Sequence, residues 1–376
     1  MRKLTLLGSS IFALKFVLAA LTPLGYDFIQ YMSMVASGDN VVAWLSWSPW
    51  VMLTHYIYTV WLAIPVDHGD FMAAITTNPN ALIPSHYLLT ALVKAPLILA
   101  DAVSTILVYR LGARLSGSNS LGEKAATFWL TNPFTTLFVE MWGSIDILLI
   151  ALTLVGIELA VRSRDRLSAT ALASAILLRI SPVVTAAALA VWCKRMNPAR
   201  KRWLLFVVGA LLGMAGYVYW ITQGNVVNLI DLLHNPPYYS MYIAVTFRLL
   251  EYRIIESNLG GFAVITVTLY YLVAAHIWPK ADQEIISLTL CGYLLLYGFA
   301  EWLPPAFLWA VPFITLWSLI AHEKRFAATF HALLALYVVL LYGPTLLTNG
   351  SSILFVPVQW QSSYGLLSPD CFYRLG

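Results

Sequence analysis

The sequence predicts an all-α, polytopic membrane protein of about nine full spans, with a short two-helix hairpin and interfacial helices on the outer face. Three observations carry that prediction. Of the 376 residues, 60% are hydrophobic and 11% are charged, with a mean hydropathy of +0.76; a soluble surface needs roughly a quarter of its residues charged. The apolar residues fall into runs of about 20, which as helices cross about 30 Å of hydrocarbon. Basic residues collect between alternate runs, the pattern that orients helical membrane proteins. The net charge of +4 is small and dispersed, which excludes a nucleic-acid-binding stripe. Cys193, Cys291 and Cys371 lie far apart, so neither a metal knuckle nor a disulfide framework is present.

The first element follows Arg2-Lys3 and runs from Leu4 to Leu24. It is too long for the apolar region of a signal peptide and lacks a clear cleavage site, so it reads as a first span with the N-terminus inside. Later spans are expected at about 83–110, 123–141, 144–161, 203–222, 256–278, 284–302, 304–321 and 326–346. With that orientation, the basic residues within 110–124, 162–166, 194–202, 280 and 324–325 all lie on the cytoplasmic side. The outer side keeps Arg248, Arg253 and Arg374.

Parity then constrains what remains. A single crossing by 42–65 would invert every later loop, so this Trp- and Tyr-rich segment is expected in the outer interface. Segment 168–193 has basic residues at both ends and Ser181-Pro182 in the middle. It is expected to form a hairpin of two short helices that reaches only to mid-membrane. The sizeable polar segments 25–82, 223–255 and the tail from Leu347 then face outward. Residues 1–376 read as one domain, with no internal repeat.

Ionisable groups at membrane depth are costly and therefore mark function or internal pairing. Lys15, Lys94, Asp101 and Arg179 lie inside predicted spans, while Asp27, Glu140, Asp146, Glu256 and Glu301 lie at outer ends. Asp27 can serve as a general base on a hydroxyl, or cap an interfacial segment over 28–37. Asp146 can share that site or cap the first turn of its own helix. Arg179 has the planar fork that suits phosphate oxygens, and equally suits a buried pair with Asp101. Lys94 shares a helix face with Asp101, and Lys15 can neutralise a neighbouring acid. Arg248 and Arg253 follow an aromatic run and can grip an anionic headgroup, or form ion pairs along an interfacial helix. Asp67, His68 and Asp70 can bind a hard divalent ion, or form an ordinary acidic loop. Beside these acids, Tyr26, Trp142, Glu301 and Trp302 are the candidates for holding substrate.

These residues resemble the C-type glycosyltransferase superfamily, multi-span enzymes that use polyprenyl-phosphate sugars. The likeness is to the dolichyl-phosphate-sugar-dependent mannosyl- and glucosyltransferases of GPI-anchor and N-glycan assembly and their prokaryotic relatives. It covers most of the chain. It rests on Asp27 after helix one, on Lys94, Pro96, Asp101, Tyr109 and Arg110 along one helix, and on Asn132-Pro133 followed by Trp142-Gly143-Ser144-Ile145-Asp146. Leu177 to Pro182 is similar to the family's Lys-x-x-Pro. Two departures stand out: Asp27 is followed by Phe28-Ile29 rather than a second acid, and Ser144 replaces the common Gln.

The resemblance implies a C-type glycosyltransferase fold and transfer of a hexose, mannose rather than glucose, to an outward-facing glycolipid or glycan acceptor. Asp27 would be the general base, with Asp146 as a second catalytic acid residue and Arg179, Arg248 and Arg253 on the donor phosphate. No cofactor is expected to be required. A divalent metal would have only the Asp67, His68 and Asp70 loop to hold it. The expected partners are the lipid-linked donor, the acceptor, membrane lipid and an accessory membrane subunit. A transporter or lipid flippase, and a scaffold subunit of a membrane complex, are the competing classes.

Overall fold

The computed structural model describes residues 2–22, 50–67, 69, 86–141, 143–221, 259–299, 304–321 and 324–348. Among them the architecture is all-α, without a strand. In chain order the helices are α1 (Arg2–Leu21), α2 (Trp50–Ala63), α3 (Tyr87–Ser116), α4 (Asn119–Leu130), a single turn α5 (Pro133–Thr135) and a π-helix (Thr136–Met141). They continue as α6 (Asp146–Val161), α7 (Asp165–Leu178), α8 (Val183–Met196), α9 (Trp203–Ile221), α10 (Leu259–Ile277), α11 (Glu284–Phe299), a 3₁₀ segment (Pro304–Trp309), α12 (Val311–Ile320) and α13 (Lys324–Thr348). By length and composition α3, with 30 residues, is the one described helix long and apolar enough to cross a membrane, and shorter apolar stretches of 10–17 residues lie in α1, α9, α10, α11, α12 and α13.

Helix α3 is the hub. It packs on α1, α2, α4, α6 and α12, and residues such as Leu89, Val93, Leu97, Val108 and Leu111 are buried along it. Pro96 sits inside it without ending it. The helix stops at Gly117, whose φ of 66° is the left-handed conformation that glycine adopts at low cost. Helix α2, of 14 residues, is about 21 Å long at 1.5 Å per residue. It lays Leu53, Ile57, Val60 and Trp61 inward, and its Tyr56 hydroxyl donates to the Leu92 carbonyl at 2.7 Å.

The expected span 123–141 is interrupted, which corrects the sequence reading. Pro133 lacks an N–H to continue α4, and Asn132 restarts the chain by accepting from the Phe134 and Thr135 backbone N–H groups at 2.9 and 3.3 Å. His331 of α13 holds this break, its Nε2 lying 2.8 Å from the Phe128 carbonyl. The expected span 304–321 likewise begins as a 3₁₀ segment before α12.

The hairpin predicted over 168–193 is present as α7 and α8, with residues 179–182 at its apex. Helix α9 closes on α7 through glycines. A Cβ on Gly209 would lie 3.0 Å from the Ala169 carbonyl, and one on Gly213 would lie 2.8 Å from that of Ala173. Small residues spaced four apart thus let two backbones approach. At the other end of the hairpin Arg202 pairs with Asp165, and Arg195 donates to the Trp278 and His276 carbonyls at 2.9 and 2.7 Å. The turns after α6, α8 and α10 are therefore gathered at one basic end of the bundle.

Candidate active site

Two antiparallel helices set the first part of the site. Lys15 of α1 reaches Asp101 of α3, Nζ to Oδ2 at 2.6 Å. Seven residues along on both helices, Lys94 meets Thr22, with 3.0 Å to its hydroxyl and 3.1 Å to its carbonyl. One register accounts for both meetings, two turns and about 10 Å apart. Glu140 enters between them: its Oε1 lies 3.3 Å from Lys15 Nζ, and its carbonyl accepts from Lys94 at 3.2 Å. Trp129 donates its indole N–H to Asp101 Oδ1 at 2.7 Å.

This arrangement corrects two sequence expectations. Asp101 pairs with Lys15 and not with Arg179. Glu140 is not an acid presented at an outer end; it is fully buried beside Lys15. The alternative that Lys15 neutralises a neighbouring acid is the one the structure holds, with two acids rather than one.

The second part lies at the head of α6. The π-helix leads into a turn at Gly143, whose φ of 80° is again left-handed. The Gly143 and Ser144 N–H groups donate back to Val139 and Phe138 at 3.0 and 2.7 Å, so the turn is closed by its own backbone. Asp146 is the first residue of α6, an acid in the first turn, and its own N–H donates to the Ser144 hydroxyl at 3.4 Å. Its Oδ1 lies 3.2 Å from Arg179 Nε, with 3% and 18% of the two side chains exposed.

The hairpin explains how Arg179 arrives there. Only three residues join α6 to α7, and the Ser168 hydroxyl donates to the Gly156 carbonyl at 2.6 Å. In that antiparallel register Leu178 falls opposite Asp146. Arg179 then leaves the helix in an extended conformation (φ −155°, ψ 150°), which carries its side chain to the head of α6.

Further polar groups collect at the same point. The Trp309 indole faces the Asp146 carboxylate from the 3₁₀ segment, which packs on α6. Ser181 follows Arg179 by two residues. Among the described residues, the Ser181 Oγ is buried with no hydrogen-bond partner. A buried carboxylate, a guanidinium and an indole N–H that meet at one point, with the Ser181 hydroxyl two residues along from Arg179, are groups that a hydroxylated ligand can engage. Tyr293 stacks on Phe313 and on Tyr297 at 5.7 and 6.2 Å between ring centres, and Tyr297 lies 6.5 Å from Trp309. An aromatic wall therefore rises to Asp146.

Of the predicted site residues, the structure brings Asp146 and Arg179 together. Asp67 is exposed just beyond α2. Asp27, Tyr26, Trp142, Arg248, Arg253, Glu301, Trp302, His68 and Asp70 lie outside the described residues. Among the described residues no group of three His, Cys, Asp or Glu side chains is placed to hold a metal ion. Sequence reasoning missed Trp309, Tyr293, Tyr297 and Ser181; the aromatic density from Tyr293 to Trp317 was the available signal. No family model matches the chain, and no curated protein or solved structure is similar enough to count as a match.

Proposed function

We propose that this chain is a multi-pass integral membrane hexosyltransferase that moves a sugar, mannose before glucose, from a polyprenyl-phosphate carrier to an outward-facing glycolipid or glycan. In the reaction the acceptor hydroxyl loses its proton to Asp27 and its oxygen bonds to the sugar's anomeric carbon. The bond from that carbon to the carrier phosphate breaks, and polyprenyl phosphate leaves. A base positioned on the attacking hydroxyl is typically worth about 10²–10⁴-fold. Arg248, Arg253 and Arg179 take the charge that develops on the leaving phosphate. Asp146 accepts hydrogen bonds from sugar hydroxyls and holds Arg179 in place.

The observation that carries this reading is the meeting of Asp146, Arg179 and Trp309 where the α7–α8 hairpin tops out beside α6, with Ser181 two residues along the apex, against an aromatic wall. A carboxylate, a guanidinium, a hydroxyl and an indole N–H make up a set that can bind a phosphorylated sugar. The membrane location is supported by inverted polarity. Leu211 and Leu212 of α9, Leu269, Leu272 and Ile277 of α10, and Leu333 and Leu336 of α13 face outward, while Lys15, Lys94, Asp101, Glu140 and Asp146 are buried. An outside this apolar suits lipid rather than water. The basic end of the bundle is the cytoplasmic end, and the head of α6 faces the lumenal or extracytoplasmic side.

The test is reconstitution in liposomes with labelled polyprenyl-phosphate mannose and, separately, glucose. Label appearing on a lipid or glycan acceptor supports the enzyme. Label that only crosses the bilayer makes the chain a transporter, and label that does neither leaves it a structural subunit.

A further inference from the structure

Lys94 is wholly buried, yet its partners are mostly backbone. Its ammonium lies 3.3 Å from the Ala19 carbonyl, 3.1 Å from the Thr22 carbonyl and 3.0 Å from the Thr22 hydroxyl at the end of α1. It also lies 3.2 Å from the Glu140 carbonyl and 2.7 Å from the Met141 carbonyl at the end of the π-helix. The last carbonyls of a helix have no partner within it and carry its partial negative charge. One lysine therefore closes two helix ends at once, from a third helix.

What continues from those ends matters. Beyond Met141 the chain makes the closed turn at Gly143 and reaches Asp146 five residues on. Beyond Thr22 the sequence reaches Asp27, also after five residues, and Asp27 itself lies outside the described residues. Deleting the ammonium would leave several carbonyls buried and unpaired at two adjacent ends, and the turn that sets Asp146 against Arg179 would lose its fixed origin.

We infer that Lys94 is a positioning residue for the proposed transfer reaction: by tying the end of α1 to the end of the π-helix it fixes the turn that carries Asp146 against Arg179. It touches neither donor nor acceptor. The inference rests on the glycosyltransferase reading for its catalytic part and on the geometry alone for its structural part. Since a misplacement of about 1 Å can cost about 10²-fold in rate, Lys94→Met should lower kcat by about that factor. The donor KM should rise as well, in the same sense as for Asp146→Asn, because the Asp146–Arg179 pair that this change loosens is the one that holds the donor.

The experiment uses the full chain in lipid nanodiscs as wild type, Lys94→Met and the milder Thr22→Val, with hydrogen exchange and sugar transfer measured on each. The expected result is faster exchange in Lys94→Met at both 17–22 and 138–146, with exchange of α9 to α12 unchanged, together with a fall in kcat and a rise in donor KM that match the direction of Asp146→Asn. Thr22→Val removes one of the five contacts among the described residues and should give a smaller change in the same two segments. Faster exchange at only one of the two ends, or loosened ends with unchanged kcat, overturns the inference. Should Lys94→Met fail to fold, the Thr22→Val pattern decides alone, with wild-type exchange at either end counting against it. A wild-type protein that transfers no sugar removes the proposed function, and the paired exchange change then still decides whether Lys94 ties the two ends.

Discussion

Lys15 and Asp101 form an ion pair across α1 and α3, 2.6 Å from Nζ to Oδ2, and Glu140 shares the same ammonium at 3.3 Å. One ammonium in direct contact with two acids makes the three residues unequal. Removing Lys15 takes the directly paired ammonium from both carboxylates, leaving Glu140, among the described residues, only the Lys94 ammonium near its backbone, whereas removing Asp101 leaves Lys15 with Glu140. Breaking a buried pair from one side typically costs about 3–5 kcal/mol, so Lys15→Met should destabilise more than Asp101→Asn. The triple change of Lys15→Met, Asp101→Leu and Glu140→Leu should recover part of the loss. Thermal unfolding of the detergent-solubilised protein ranks the three variants, and Asp101→Asn proving the most damaging would contradict this account.

The Asp146–Arg179 contact gives a coupled prediction. Arg179→Lys keeps the charge but loses the planar fork, so it should raise the donor KM in the transfer assay while the protein still folds. Asp146→Asn and Arg179→Gln, made singly and together, should show a coupling of about 0.5–3 kcal/mol in unfolding, the range for residues in contact. Asp101→Asn combined with Arg179→Gln should be additive, because Asp101 is occupied by Lys15 and Trp129. Coupling between Arg179 and Asp101 would mean that the other pairing prevails.

How much of this was legible beforehand varies from residue to residue, for physical reasons. The α7–α8 hairpin could be read because basic residues flank both ends and Ser181-Pro182 cannot continue a helix. The break at Asn132-Pro133 carries a local cap and proline signal, but in the sequence the apolar length of 123–141 outweighs it. The partner of Arg179 was not legible from spacing along one helix, because it is set by register between two. The three-residue connection after Val161 held that information, since it places Leu178 opposite Asp146. Lys94 was ambiguous because its partners are mostly carbonyls, which every residue has. Asp27 is read from sequence alone.

Close helix packing supplies another test. Gly213 of α9 sits where a Cβ would lie 2.8 Å from the Ala173 carbonyl and 2.9 Å from Ile176 Cβ. The nearest atoms are backbone or branch-point atoms, which cannot rotate away. Gly213→Val should therefore push α9 off the hairpin, at a cost of about 1–3 kcal/mol for overpacking, and weaken the setting of Arg179 at the apex. Gly298, with no atom of the described residues within 4 Å of its would-be Cβ, is the control, and Gly298→Val should shift the unfolding temperature far less than Gly213→Val. Equal effects at the two sites would remove the packing explanation.

The last prediction separates the proposed base from the acid beside Arg179. Asp27→Asn keeps size and hydrogen-bonding ability but cannot take the acceptor's proton. The variant should insert normally, bind the lipid-linked donor and transfer sugar at least about 100-fold more slowly, a barrier increase of about 2.7 kcal/mol. Asp146→Asn acts differently, since it removes the countercharge of Arg179 rather than the proton acceptor. Its loss should appear in donor KM as well as in kcat and grow with ionic strength, because salt screens the freed guanidinium from the donor phosphate. Chelation should leave both variants and the wild type unchanged if no divalent ion is needed; loss of wild-type activity on chelation, restored by Asp67-dependent metal uptake, would bring the 67–70 loop into the site. Near wild-type transfer by Asp27→Asn places the base elsewhere, with Asp70 and Glu301 the next acids to replace.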